Sequence, residues 1–387
     1  MKLPIDLKAV IEAATDIESA RSTPVSVSVL IDDSAPGDVA AHVRSAFVGA
    51  GAHARVTVGY FAGPAFSPYE GDDMAVIVAG FSEEVGRRAA EIRAAGVPVM
   101  VVTSMPSLVA DMASAYGNPI PEGDLVAPED VEGCDADGDA ACASGEVAGA
   151  HVSVFAGVRA AKSAGAGAAA GSAGAAASSP DVLDAPIPID AAAACALDRR
   201  MGEWVVAACR EKRLALALSF PFVRKPLSLE AVSATSLQNA GIGLVLFIPG
   251  ADMPLMTLNQ AKMLLQIAAA YGEPMSAARM KELAAIVAGG FACRSVARQV
   301  AGAVPAIGWA VKAGVGYAGT KAMGLAAVEY FERGGNIAGL AGVVSSATAK
   351  ATQIAGDVAA TPAGARVLST VKTAVRQGAA SVLKKTE

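Results

Sequence analysis

A phosphate group is most often handled where an apolar strand runs straight into a helix. "PVSVSVLI" (24–31), followed by "DDSAPGDVAAH", is the first such place in this chain. The chemistry needs G-x-x-x-x-G-K-[ST]: backbone N–H groups cradle the phosphates, Lys neutralises them, and Ser or Thr holds magnesium. Here the loop has one Gly, no Lys, and two carboxylates, Asp32 and Asp33, whose charge repels a phosphate. Where a GTPase would continue with D-x-x-G and N-K-x-D, the chain reads "VIVAGFSEE" and "VVTSMPSL". Phosphoryl transfer depends on positioned charge, so nucleotide hydrolysis is not expected, and no cofactor is expected.

Other reactive residues are sparse. In "DADGDAACASGE", Asp135, Asp137, Asp139 and Glu146 fall at calcium-loop positions one, three, five and twelve. Position six is Ala140, where the sharp turn needs Gly, and no apolar helices flank the loop, so an acidic linker is the expected reading. Cys134, Cys142, Cys195, Cys209 and Cys293 form no C-x-x-C pair and none lies near a His, which points to free thiols rather than a metal site. The histidines are His42, His53 and His151, none in the second half of the chain, and no G-x-S-x-G elbow occurs. No catalytic constellation is expected.

Polar residues do interrupt one apolar stretch, "FIPGADMPLMTLNQAKMLLQIAAAYG" (247–272). "TLNQ" reads as a capping box: the Thr257 hydroxyl accepts from the N–H of Gln260, and the Gln260 side chain accepts from the N–H of Thr257. Met263, Leu264, Ile267 and Ala268 form the apolar face, and Gly272 closes the helix. Asp252 and Asn259 have no local role beyond the turn, which makes them, with Gln260, candidate interaction residues.

The elements that must position these residues change character along the chain. Strand signals at 24–31, "ARVTVGYF" (54–61), "MAVIVAG" (74–80) and "VPVMVVTS" (97–104) alternate with helical stretches "DVAAHVRSAFVGAG", "SEEVGRRAAEIRAAG" and "PSLVADMASAYG". That alternation predicts a small parallel sheet covered on both faces. From about Glu122 the chain turns acidic, with no Lys or Arg between Arg93 and Arg159; "AAKSAGAGAAAGSAGAAASSP" follows, a composition that cannot bury enough apolar surface to order itself. "HVSVFAGV" within it could form a short strand. After Pro188 the pattern is helical to the end. The helix "AAAACALDRRMGEWVVAACREKRLALALSF" comes first, and Gly272, Gly289–Gly290, Pro305 and Gly334–Gly335 punctuate the rest. The expected architecture is an α/β domain (1–128), a flexible insertion or linker (129–188), an all-α, glycine-rich helical domain (189–335) and a helical tail (336–387).

Composition narrows the partners. The chain has 387 residues and 53% hydrophobic content, enough for two cores. Its mean hydropathy of +0.44 owes much to Ala, which separates water from lipid poorly. A net charge of −6 argues against a nucleic-acid partner. The first residues carry Asp6, Glu12, Asp16 and Glu18 on a helical repeat without a signal peptide's apolar run, so a cytoplasmic location is expected.

"SFPFVRKPLSLEAVSATSLQNAGIGLVLFIPGADMPLMTLNQAKMLLQIAAAYG" and "ELAAIVAGGFACRSVARQVAGAVPAIGWAVKAGVGYAGTKAMGLAAVEYFERGG" carry a resemblance. Over about Met201 to Gly335 the chain resembles the YcjF-type helical domain of unknown function, which occurs in bacterial membrane-associated proteins beside or fused to Era-like GTPase domains. The resemblance implies a helical domain, membrane association and a GTPase-related context, with no catalytic residues to carry over. The first domain then resembles a G-domain stripped of its motifs; some other three-layer sheet is the alternative.

Two further patterns bear on membranes. Ala310, Gly314, Ala318, Ala322 and Ala326 recur every four residues, and Gly308, Gly316, Thr320 and Gly324 make a second small row. Such ridges let another helix approach closely, whether in a membrane hairpin, a soluble bundle, or a contact with a protein partner or second copy. Each interior Gly costs about 1 kcal/mol against Ala, which packing must offset. "NAGIGLVLFIPGADMPLMTL" holds Pro249 and Asp252, and "PAIGWAVKAGVGYAGTKAMGLAAV" holds Lys312 and Lys321, so neither is a convincing span of about 20 apolar residues. In "AGARVLSTVKTAVRQGAASVLKKTE" an apolar stripe (Val367, Val371, Val375, Val382, Leu383) lies beside Arg366, Lys372, Arg376, Lys384 and Lys385. That is the pattern of a helix lying on an anionic lipid surface or an acidic partner. The expected function is a non-enzymatic scaffold or regulator held peripherally at the inner face of the cell membrane. A nucleotide-binding protein with an unrecognised loop and an inserted hairpin with a transport or pore role are the alternatives.

Overall fold

The computed structural model describes residues 17–62, 71–128, 186–245, 252–274, 308–336, 339–340 and 342–343. Strands β1 (Val25–Ile31), β2 (Ala54–Tyr60), β3 (Met74–Val78), β4 (Val99–Val102) and β5 (Leu125–Val126) form one parallel sheet in the order β2-β1-β3-β4-β5. β3 and β4 are buried at every residue, as strands covered on both faces must be. The winding direction reverses between β1 and β3, so helices pack on both faces. Helix α1 (Gly37–Val48) covers one face with Val39, Val43 and Phe47 against Val27, Val29, Val76 and Met100. Helices α2 (Glu84–Ala94) and α3 (Pro106–Ala115) cover the other, where Val85, Ala89, Ile92 and Val109 meet Leu30, Ile77 and Val101. The α/β domain followed by helices is therefore as the alternation predicts. β5 is an addition: two residues inside an acidic stretch carry no periodicity, and only pairing with Val101 and Val102 makes them a strand.

The long helix expected after Pro188 is two helices. Asp190 caps α4 (Ala191–Ala208), its carboxylate accepting from the N–H of Ala193 at 2.8 Å. The chain then breaks before α5 (Arg213–Ser219) because Cys209 and Lys212 are held by the amino end of the sheet. The Lys212 ammonium lies 2.7 Å from Asp73 Oδ1 and donates to the Pro24 carbonyl at 3.1 Å. Cys209 Sγ lies 3.9 Å from the Asp73 carbonyl oxygen. Burial, reinforced by the Asp73 charge, pushes the Cys209 thiol up to about 12, so it stays protonated and unreactive near neutral pH.

The boundary expected near residue 189 is not a break in packing. Leu197, Met201, Trp204 and Val205 of α4 share one core with α1 and the sheet. His42 Nε2 of α1 lies 2.8 Å from Asp198 Oδ1, and Trp204 Nε1 donates to Asp124 Oδ1 at 3.3 Å. In the opposite sense, Ile17, ahead of β1, packs in the helical core, and Arg21 donates to the Gly272 and Glu273 carbonyls.

Helix α6 (Pro221–Val245) packs against α4, α5, α7 (Asp252–Ala270) and α8 (Gly308–Glu332). Where Pro226 cannot donate to the Phe222 carbonyl, α4 presents Gly202. A Cβ there would lie 2.5 Å from that oxygen and 2.7 Å from Pro226 Cγ. Met263, Leu264, Ile267 and Ala268 are buried, as expected, but so are Leu265, Ala269 and Ala270; α7 is enclosed on nearly every side. Gly272 (φ 83°) closes it, with Glu273 N donating to Ala268 O and Gly272 N to Ala269 O. The capping box does not form. α7 begins at Asp252, which places Thr257 and Gln260 inside the helix and buried.

Candidate functional site

In a doubly wound sheet, ligands bind outside the carboxyl ends of the strands where the winding reverses. Here that place lies between Asp32–Ser34 after β1 and Gly80–Ser82 after β3, and Asp32 fills it. Its carboxylate, 3% exposed, accepts from Gly80 N (2.9 Å), Ser82 N (3.2 Å), Ser34 N (3.1 Å) and Ser34 Oγ (2.9 Å). Ser34 Oγ in turn accepts from Phe81 N at 2.7 Å. These are the kind of donors that would cradle a phosphate, directed at the protein's own anion. The loops also touch: a Cβ on Gly80 would lie 2.3 Å from the Ser34 carbonyl carbon. Asp33 ties the end of β2, its Oδ2 accepting from Ala62 N at 2.7 Å. Both carboxylates read as phosphate-repelling thus act as loop ties, for which a linear sequence carries no signal.

A strap lies over the same edge. Ile187 N donates to the Ser104 carbonyl after β4 at 3.1 Å, and Ile189 N donates to Asp38 Oδ2 at the start of α1 at 3.2 Å.

The second polar cluster joins three helices. Asn239 of α6 donates through Nδ2 to Thr320 Oγ1 of α8 (3.0 Å) and to the Met256 carbonyl of α7 (3.4 Å). Gln260 Nε2 donates to the same Thr320 hydroxyl at 2.8 Å, and Asn259 Nδ2 donates to Asn239 Oδ1 at 3.1 Å. Asn239, Gln260 and Thr320 are buried, and the bonds run between elements rather than within one. Such a network fixes the register of the three helices, because any slip strands several buried amides. Asn239 was not a candidate from sequence, although Ser228, Thr235, Ser236 and Asn239 mark one side of α6 at helical spacing.

The other candidate residues scatter. Asp252 is the first residue of α7; Gly314 and Ala318 lie within α8, and their packing falls outside the described residues. Ala322, from the first small row, is half-buried. The close contact comes from the second row, where a Cβ on Gly324 would lie 2.4 Å from Val232 Cγ2. Lys372, Arg376, the calcium-like loop and "HVSVFAGV" lie outside the described residues.

Replacing Thr320 with Val is expected to cost about 2–4 kcal/mol in urea unfolding, since two buried amides lose their shared acceptor; Thr320→Ser is expected to cost under about 1 kcal/mol. Equal costs for the two variants would show that packing, not the hydroxyl, matters there.

Comparison with known proteins adds nothing to this geometry. No family model, curated protein or solved structure matches the chain.

Proposed function

We propose that the protein is a non-enzymatic scaffold or regulatory protein acting at the cytoplasmic face of a membrane. The observation that supports this most is the Asp32 carboxylate in the crevice between β1 and β3. A buried anion already satisfies the amides that would receive a phosphate, and the Ser34 and Gly80 backbones meet closely beside it. Attachment to the membrane is argued from the basic, apolar-striped tail over Ala363 to Glu387 and from the resemblance of the helical region to the YcjF-type domain. Among the described residues, no helix is long and apolar enough to cross a membrane.

Fractionation after cell breakage tests the reading. The protein is expected partly on membranes, released by high salt or alkaline carbonate, and largely lost from them when Ala363 to Glu387 is deleted, because salt screens charge to about 3 Å at 1 M. In the same preparation, calorimetry with Mg-GTP and Mg-ATP is expected to give no binding heat. Retention through both washes and the deletion would replace the scaffold with an inserted hairpin. Micromolar nucleotide affinity would replace it with a nucleotide-dependent protein.

A further inference from the structure

The two edges of the sheet are built differently. β5 is only two residues long, and very short edge strands are one device that keeps sheets from joining edge to edge. β2 presents seven residues, Ala54–Tyr60, and pairs with no described strand on its outer side. It contains no Pro or Lys and runs beside β1 without a bulge, from Val25↔Ala54 to Ile31↔Tyr60. Its one charge, Arg55, keeps a side chain 47% exposed and reaches back over β1, its Nη2 donating to Ser26 Oγ at 2.7 Å and to Asp72 Oδ1 at 3.2 Å. Val58 and Tyr60 are 38% and 47% exposed. Pro, Lys and a bulge, three of the usual guards against pairing, are missing from β2.

We propose that the β2 edge binds a second copy of this chain, the two β2 strands pairing antiparallel about a two-fold axis through Thr57. Two five-stranded sheets would then continue as one of ten. The occupant is argued from the strand's self-complementarity. A two-fold axis perpendicular to the sheet keeps each side chain on its own face, so it must pass through a residue position, and only Thr57 lets all seven residues pair. That register sets Ala54 opposite Tyr60, Arg55 opposite Gly59, Val56 opposite Val58, and Thr57 opposite itself. The exposed aromatic meets the smallest side chain on its face, and two β-branched pairs form. Arg55 faces a glycine rather than another cation, where like charges would destabilise the pair.

Light scattering during size exclusion of the full chain tests this. The expected mass is twice the 38.5 kDa of one chain. Thr57→Lys places two ammonium groups across the axis, and the dimer is expected to fall to monomer with circular dichroism unchanged, because Thr57 is exposed in the single chain. Under mild oxidation Thr57→Cys is expected to cross-link two chains, since residues facing each other across the axis stand about 4.5–5.5 Å apart at Cβ, near disulfide reach. Gly59→Cys, which faces Arg55, and the native chain are expected not to cross-link. A native chain that stays monomeric at its highest soluble concentration overturns the proposal. So does a dimer that survives Thr57→Lys while Thr57→Cys fails to cross-link, or a cross-link through Gly59→Cys.

Discussion

Replacing Asp32 with Ala is expected to lower the unfolding free energy by about 3–5 kcal/mol, seen as a fall in the urea midpoint with little change in slope. Hydrogen bonds to a charged group contribute about 1.5–3 kcal/mol each, and a donor left buried without a partner costs about 1–3 kcal/mol. Gly80 N sits in the buried part of the contact and bears the larger loss; Ser34 N and Ser82 N are nearer solvent and recover part of theirs from water. The Ser34 hydroxyl also loses the acceptor that orients it toward Phe81 N. Asp32→Asn keeps one oxygen but turns an NH₂ toward amide donors, so an intermediate loss is expected. Gly80→Ala tests the same junction sterically, because the atoms it would strike are the Ser34 and Ala35 backbone, which cannot rotate away. An Asp32→Ala protein with an unchanged midpoint would mean that the two loops hold together without the carboxylate.

Cutting the chain within 129–185 is expected to leave its two parts bound. Sequence composition alone predicts the opposite, two stable fragments that separate. The reversal comes from α4, which lies after the cut yet buries Leu197, Met201, Trp204 and Val205 against the sheet and α1. At about 1.5–3 kcal/mol for each such side chain, four contribute about 6–12 kcal/mol. The contact of Ile17 and Arg21 with α7 ties the parts from the other side. A specific protease site placed in the Ala/Gly/Ser-rich stretch gives a clean cut. The parts should then co-elute in native buffer, separate in denaturant, and unfold in a single transition. Two peaks in native buffer would show that α4 adds little to the sheet's core.

The sequence by itself determined those features whose causes are local. Wholly apolar runs marked β3 and β4, because a strand covered on both faces needs apolar residues at every position, and the β-branched, alternating runs "VSVSVLI" and "ARVTVGY" marked β1 and β2. Glycines that end helices marked Gly96, Gly117 and Gly272, which take positive φ where a side chain would be strained. From these the class followed: a parallel α/β sheet, then helices. Tertiary structure decided whatever depends on partners distant in the chain. "TLNQ" has the residues of a capping box, yet the Gln260 amide donates to Thr320, because a buried amide must find an acceptor and folding brings that hydroxyl to it. The helix expected through Phe220 breaks because Asp73 and Pro24 hold Lys212 at the sheet. β5 exists only through β4. Asp32 and Asp33 read as charges hostile to a ligand; folding brings backbone amides to both, and the charge that repels a phosphate becomes the anion that closes the crevice. Periodicity and capping act over a few residues, whereas the pairing of a buried donor with its acceptor is settled only when the elements carrying them meet.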